Sequence, residues 1–85
     1  MNQTFGELEF RLNGDSRDPE IVKKIKMENG AESCYSLLFW RKDKEGYSIE
    51  TVGGRIFDEG IDSADLMKLM KFGQKVLDAK FDLEH

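Results

Sequence analysis

An α+β domain, with an antiparallel sheet of three to four strands and one long C-terminal helix packed on one face, follows from three stretches of the chain. Cys34 to Arg41 and Tyr47 to Val52, both rich in aromatic and β-branched residues, flank the polar segment Lys42 to Gly46 and read as a β-hairpin. Apolar and polar residues alternate from Phe5 to Leu12, the period of a half-exposed strand. From Ser63 to about Phe81 the apolar residues recur at helical spacing behind a set of helix-start residues.

The first strand is expected over Thr4 to Leu12, with Leu8, Phe10 and Leu12 on one side and Glu7, Glu9 and Arg11 on the other. Residues 13–18, all polar or glycine, then read as a loop. The stretch from Asp18 to Asn29 admits two forms. A helix would use Asp18 as N-cap, Pro19 at the first position and Gly30 past the end. A strand over Lys23 to Glu28 would set Ile21, Lys23, Ile25 and Met27 opposite Val22, Lys24, Lys26 and Glu28, and Asn29-Gly30 would turn the chain into the hairpin. The strand is the favoured form because the turn leads so directly into the next strand.

In the central hairpin Asp43-Lys44-Glu45-Gly46 suits a type I turn closed by glycine, a three-residue loop. That register sets Asp43 opposite Tyr47, Arg41 opposite Ile49, Trp40 opposite Glu50, Phe39 opposite Thr51 and Leu38 opposite Val52. Strict alternation then places Tyr35, Leu37, Phe39, Tyr47 and Ile49 on one face and Leu38, Trp40 and Val52 on the other. Both faces of the hairpin are partly apolar, and one helix covers only one of them. The second is expected to be covered by the N-terminal segments, a partner or a ligand.

Gly53-Gly54 marks a bulge or bend, since no Lys-Ser or Lys-Thr follows as in a phosphate loop. At the helix start Asp62 is the N-cap, Asp65 sits at the third helical position, and Ile61 can staple to Leu66. The stripe comprises Leu66, Leu69, Met70, Gly73, Val76, Leu77 and Phe81, with Met67 and Phe72 widening it on either side. Glycine at 73 is unfavourable inside a helix, so close packing against a strand or a symmetric partner is expected there.

The sequence is short enough for one small domain, taken as residues 1–82, with Leu83-Glu84-His85 read as an expression-tag remnant. Net charge is −4, which disfavours unspecific nucleic-acid binding. One cysteine allows no internal disulfide, and without a signal pattern or a long apolar run the expected location is cytoplasmic.

Catalytic chemistry has little to draw on. The single histidine is His85, and Cys34 has no histidine to activate it, so a buried structural thiol is expected and an enzyme is not. Asp58, Glu59, Asp62 and Asp65 lack the spacing of a calcium loop, and no metal or cofactor is expected. The leading expectation is a non-enzymatic protein–protein interaction module, a homo-oligomer or a subunit of an assembly. Its interface would draw on Trp40, Leu38, Val52, Met67, Phe72 and Gly73, with Trp40 as anchor. The alternative is a single-strand nucleic-acid binder using Lys23, Lys24, Lys26, Arg41, Lys42 and Arg55, with Tyr35, Phe39, Trp40 and Tyr47 as stacking rings.

Tyr35-Ser-Leu37, Gly46-Tyr47 and Gly53-Gly54-Arg55-Ile56 together resemble part of the signature of WGR domains, a family associated with DNA binding. The resemblance spans a small part of the chain and places Gly53 where that family has its defining tryptophan; only Gly54 and Arg55 correspond.

Overall fold

The computed structural model describes residues 2–12 and 18–85, so most of the loop expected over 13–18 lies outside the described residues. The expected architecture is present in its coarse form: one antiparallel sheet with a C-terminal helix on one face. The sheet has five strands rather than three to four, in the order β1-β2-β3-β4-β5. These are β1 (Asn2–Phe5), β2 (Leu8–Arg11), β3 (Glu20–Lys26), β4 (Glu32–Asp43) and β5 (Gly46–Thr51). A 3₁₀ turn, Arg55–Phe57, and the helix α1, Ser63–Glu84, follow.

The extra strand comes from the N-terminus. The single strand expected over Thr4 to Leu12 is folded in two at Gly6-Glu7, and Phe5 pairs with Leu8. Gly6 has φ 58°, a conformation that only glycine reaches cheaply, at the first of two turn positions where type II′ hairpins place it. The ambiguous stretch is a strand, as favoured, but it spans Glu20–Lys26 rather than Lys23 to Glu28, with Ile21, Lys23 and Ile25 on one face and Val22, Lys24 and Lys26 on the other.

The central hairpin is present, but its register and its faces differ from the expected ones. The loop is Lys44-Glu45 alone, with Asp43 opposite Gly46, so Lys42 pairs with Tyr47, Trp40 with Ile49 and Leu38 with Thr51. A slip of one residue sends every partner to the opposite face, and it brings Tyr47 and Ile49 over beside Trp40. A second irregularity lies on the β3 side of β4. Ile21 pairs with Leu38 but Val22 pairs with Ser36, so Leu37 is an extra residue in a bulge. Leu37 and Leu38 therefore both enter the same core, and both are fully buried.

These two features correct the picture of a hairpin apolar on both sides. The helix-facing side collects Leu8, Phe10, Ile21, Leu37, Leu38 and Trp40, which form one core with Leu66, Leu69 and Leu77 of the helix. By pairing parity the other side carries Thr4, Glu9, Arg11, Glu20, Lys24, Ser36, Arg41 and Glu50, with Val22 and Phe39 as its apolar members. Arg11 donates to Glu9 and reaches across β3 to the Cys34 sulfur at 3.5 Å, closing over the side of β3 on which Val22 is buried. The Glu9 carboxyl is held below its ordinary range, chiefly by the hydrogen bond from Arg11.

The helix begins as its sequence dictates. The Asp62 side chain accepts from the Ala64 and Asp65 amides at 2.9 and 3.1 Å. Leu66, Leu69, Gly73 and Leu77 are its buried residues, and it runs three residues beyond the expected end. Among the described residues no helix is long and apolar enough to cross a membrane.

Candidate interaction surface

Each residue expected at an interface has a definite place. Trp40 and Leu38 have no exposed surface, so neither is available as an anchor. The indole lies edge-on to Phe10 with ring centroids 5.4 Å apart, and its Nε1 donates to Gln74 Oε1 at 2.8 Å. Gly73 is buried against Phe10 and Trp40 of its own chain, so a symmetric partner is not needed to explain it. Phe72 is half-buried, edge-on to Phe10, and Val52 is half-buried at the end of β5. Met67 is 52% exposed. Trp40 lies on the helix-facing side because the bulge at Leu37 breaks the strict alternation of β4, and that bulge leaves no mark in residue type.

The cations expected to contact nucleic acid are not gathered on one surface. Lys23 is on the helix-facing side, where its ammonium donates to the Gly60 carbonyl at 3.1 Å and lies 3.7 Å from Glu7. Lys24 and Lys26 are on the other side of the same strand. Arg41 pairs with Glu50 at 3.1 Å, and Lys42 donates to Glu84 near the far end of the sheet. Arg55 donates to the Ser36 carbonyl at 3.0 Å and lies 5.7 Å from the Tyr35 ring. Phe39 and Trp40 fall on opposite sides, so the proposed stacking rings do not form one platform.

A different surface stands out. Strand β4 is twelve residues long, but β5 pairs with it only from Leu38 onward. On the other flank β2 pairs with β3 only as far as Lys23. The segments Lys24–Lys26 and Glu32–Cys34 therefore pair with each other and extend past their neighbours as a two-stranded arm, closed by a turn in which Met27 and Ala31 are hydrogen-bonded at 2.8 Å. The molecule measures 46 × 24 × 20 Å along its principal axes.

The arm lies beyond the reach of the helix, so apolar side chains on its helix-facing side stay in solvent. Ile25 is 39% exposed and Met27 51%; Phe57, in the 3₁₀ turn beneath the same end of the sheet, is 85% exposed. That turn is tied to the arm's base by the Arg55 contacts, and the loop after it by the Lys23 bond to Gly60. Ile25 and Met27 share one face as alternation predicts, but nothing in residue type shows that they lie beyond the helix. Cys34 is exposed on this arm rather than buried, because β5 does not extend to cover it.

Chemistry for catalysis is sparse at this end. Among the described residues there is no group of three or more His, Cys, Asp or Glu placed to hold a metal ion. Glu7, Asp62 and Asp65 approach one another beside Gly6, but Asp62 is engaged by the helix amides that it caps. No family model, curated protein or solved structure matches the chain.

Proposed function

We propose that the chain is a non-enzymatic protein–protein interaction module that self-associates through the end of the molecule bearing the β3–β4 arm. The observation that carries this reading is the exposure of Ile25 and Met27 on one face of the arm, with Phe57 exposed in the turn that Arg55 ties to the base of the arm. Exposed apolar residues that lie together, rimmed by charge, are the ordinary sign of a contact surface. Charge lies on the other face of the arm, at Lys24, Lys26 and Glu32, in its turn at Glu28, and beside Phe57 in the chain at Asp58 and Glu59. A site for catalysis has less support: His85 stacks on Phe81, and Cys34 has the Arg11 guanidinium rather than a base beside it.

A nucleic-acid partner is the weaker reading, because its cations lie on two faces and at both ends of the sheet and several already face carboxylates. Sedimentation equilibrium on the native chain and on an Ile25→Ser, Met27→Ser variant tests the proposal. Both positions are solvent-exposed, so the variant keeps its fold. The native chain is expected to associate as concentration rises and the variant to remain monomeric; equal behaviour of the two would overturn the reading.

A further inference from the structure

The free edge of the arm shows how two copies would join. In an antiparallel ladder the backbone groups of successive residues point alternately to one neighbouring strand and the other. The Lys24 amide donates to the Glu7 carbonyl at 2.8 Å, away from β4, so Lys24 and its opposite residue Cys34 form a non-hydrogen-bonded pair. The Met27 bond to Ala31 has the alternate phase and agrees. It follows that the N–H and C=O groups of Glu32 and Cys34 point outward, to the side of β4 that β5 does not reach. Ser36 shares this orientation, and its carbonyl is already taken by Arg55.

We infer that a second copy of this chain pairs antiparallel with this edge about a two-fold axis at Ser33, joining the two sheets into one; this rests on the self-association proposed above. In that register Glu32 faces Cys34 of the other copy and Ser33 faces its own equivalent. All the outward groups of Glu32 and Cys34 are then hydrogen-bonded, while the Ser36 carbonyl stays outside the ladder and keeps its bond to Arg55. No lysine or proline, the usual guards of an open edge, occupies Glu32 to Ser36.

The same register matches the side chains. On the helix-facing side Tyr35 of one copy falls beside Ala31 of the other, whose own neighbour across the hairpin is Met27, so exposed apolar surface meets an aromatic ring. On the opposite side the row across the joined sheets reads Lys26, Glu32, then Cys34 and Lys24 of the second copy. Each Glu32 thus has Lys26 of its own copy beside it and, one strand beyond Cys34, Lys24 of the second copy in the same row, a charge pattern that favours the two-fold contact.

A disulfide trap tests the register. Directly opposed residues of a non-hydrogen-bonded pair lie close enough for a disulfide, so Ser33→Cys in a Cys34→Ser background is expected to oxidise to a linked dimer whose amide spectrum matches the native one. Ser48→Cys in the same background, on the edge strand β5, is expected to stay monomeric. A second variant, Cys34→Pro compared with Cys34→Ala, which equally lacks the sulfur that Arg11 contacts, removes an outward-facing N–H and is expected to raise the dissociation constant roughly tenfold or more while leaving the circular dichroism unchanged. Association that persists undiminished in Cys34→Pro, or with Ser33→Cys linking no faster than Ser48→Cys, would overturn the edge pairing and leave the self-association reading standing. A native chain that remains monomeric at every concentration and in the Ser33→Cys form would overturn both.

Discussion

The Trp40 indole occupies the space that a side chain at Gly73 would need: a Cβ placed on Gly73 would stand 2.6 Å from Trp40 Cη2, and 2.8 Å from Cε2 of Phe10. The helix can therefore lie this close to the sheet only where it has no side chain. Replacing Gly73 by alanine gains about 1 kcal/mol of helix propensity. It also forces a methyl into two buried rings that have no free space to move into, an overpacking that costs typically about 1–3 kcal/mol. Gly73→Ala is expected to lower the urea-unfolding free energy. A more stable variant would show that the helix sits further from the sheet than described.

Trp40 couples the same two layers through its nitrogen. Its Nε1 donates to Gln74 Oε1, and Gln74 Nε2 donates at 3.0 Å to the Tyr47 carbonyl, so one glutamine fixes the helix to both strands of the hairpin. Truncation of a buried tryptophan costs about 3–5 kcal/mol. Trp40→Ala is expected to lose stability on that scale in denaturant titration, and to self-associate like the native chain under conditions where it stays folded. Weakened association without loss of stability would return Trp40 to an interface.

The carboxyl of Glu9 supplies a pH dependence. Its folded-state pKa lies below the ordinary value of 4.5, mainly through the hydrogen bond from Arg11. A depressed carboxyl pKa contributes stability that is fully present above the ordinary value and is lost as pH falls through the lowered folded-state value. Glu9→Gln removes this contribution, so the melting temperature of the variant is expected to fall less steeply than that of the native chain on acidification from above the ordinary value of 4.5. Parallel melting curves across this range would show that the Glu9–Arg11 pair does not persist in solution.

The placement of cations makes a prediction about nucleic acid. Lys24 and Lys26 are separated by the length of β4 from Arg41 and Lys42, and the last two face Glu50 and Glu84. Adding a single-stranded oligonucleotide at low salt is expected to leave the amide spectrum unchanged. Salt-sensitive shifts at Lys24, Lys26 and Arg55 would establish a local phosphate site instead.

The parts of the fold legible in the sequence were those encoded locally. Asp62, Asp65 and the spacing of Leu66, Leu69, Gly73 and Leu77 specify the helix without reference to anything distant. The paired strands of the hairpin were likewise readable from alternation and turn residues, whereas the strand at Glu20–Lys26 was favoured over a helix only through the Asn29-Gly30 turn that follows it. The faces of β4 were not, because Ser36, Leu37, Leu38 and Phe39 give no cue to where a bulge falls, and one inserted residue exchanges inside for outside. Tyr47 and Ile49 were displaced for a related reason: Gly46 serves a three-residue or a two-residue loop equally well. The candidate site was hidden for a third reason. Exposure of Ile25 and Met27 depends on where β2, β5 and the helix stop, which is a relation among elements far apart in the chain.

An NMR dilution series bears most directly on the arm as a contact surface. As concentration rises from micromolar to millimolar, amide peaks of Ile25, Met27, residues 31–35 and Phe57 are expected to shift together, while those of Gly73, Leu77 and the Trp40 indole stay fixed. Peaks that hold still throughout, or that move at the helix and not at the arm, would contradict the account.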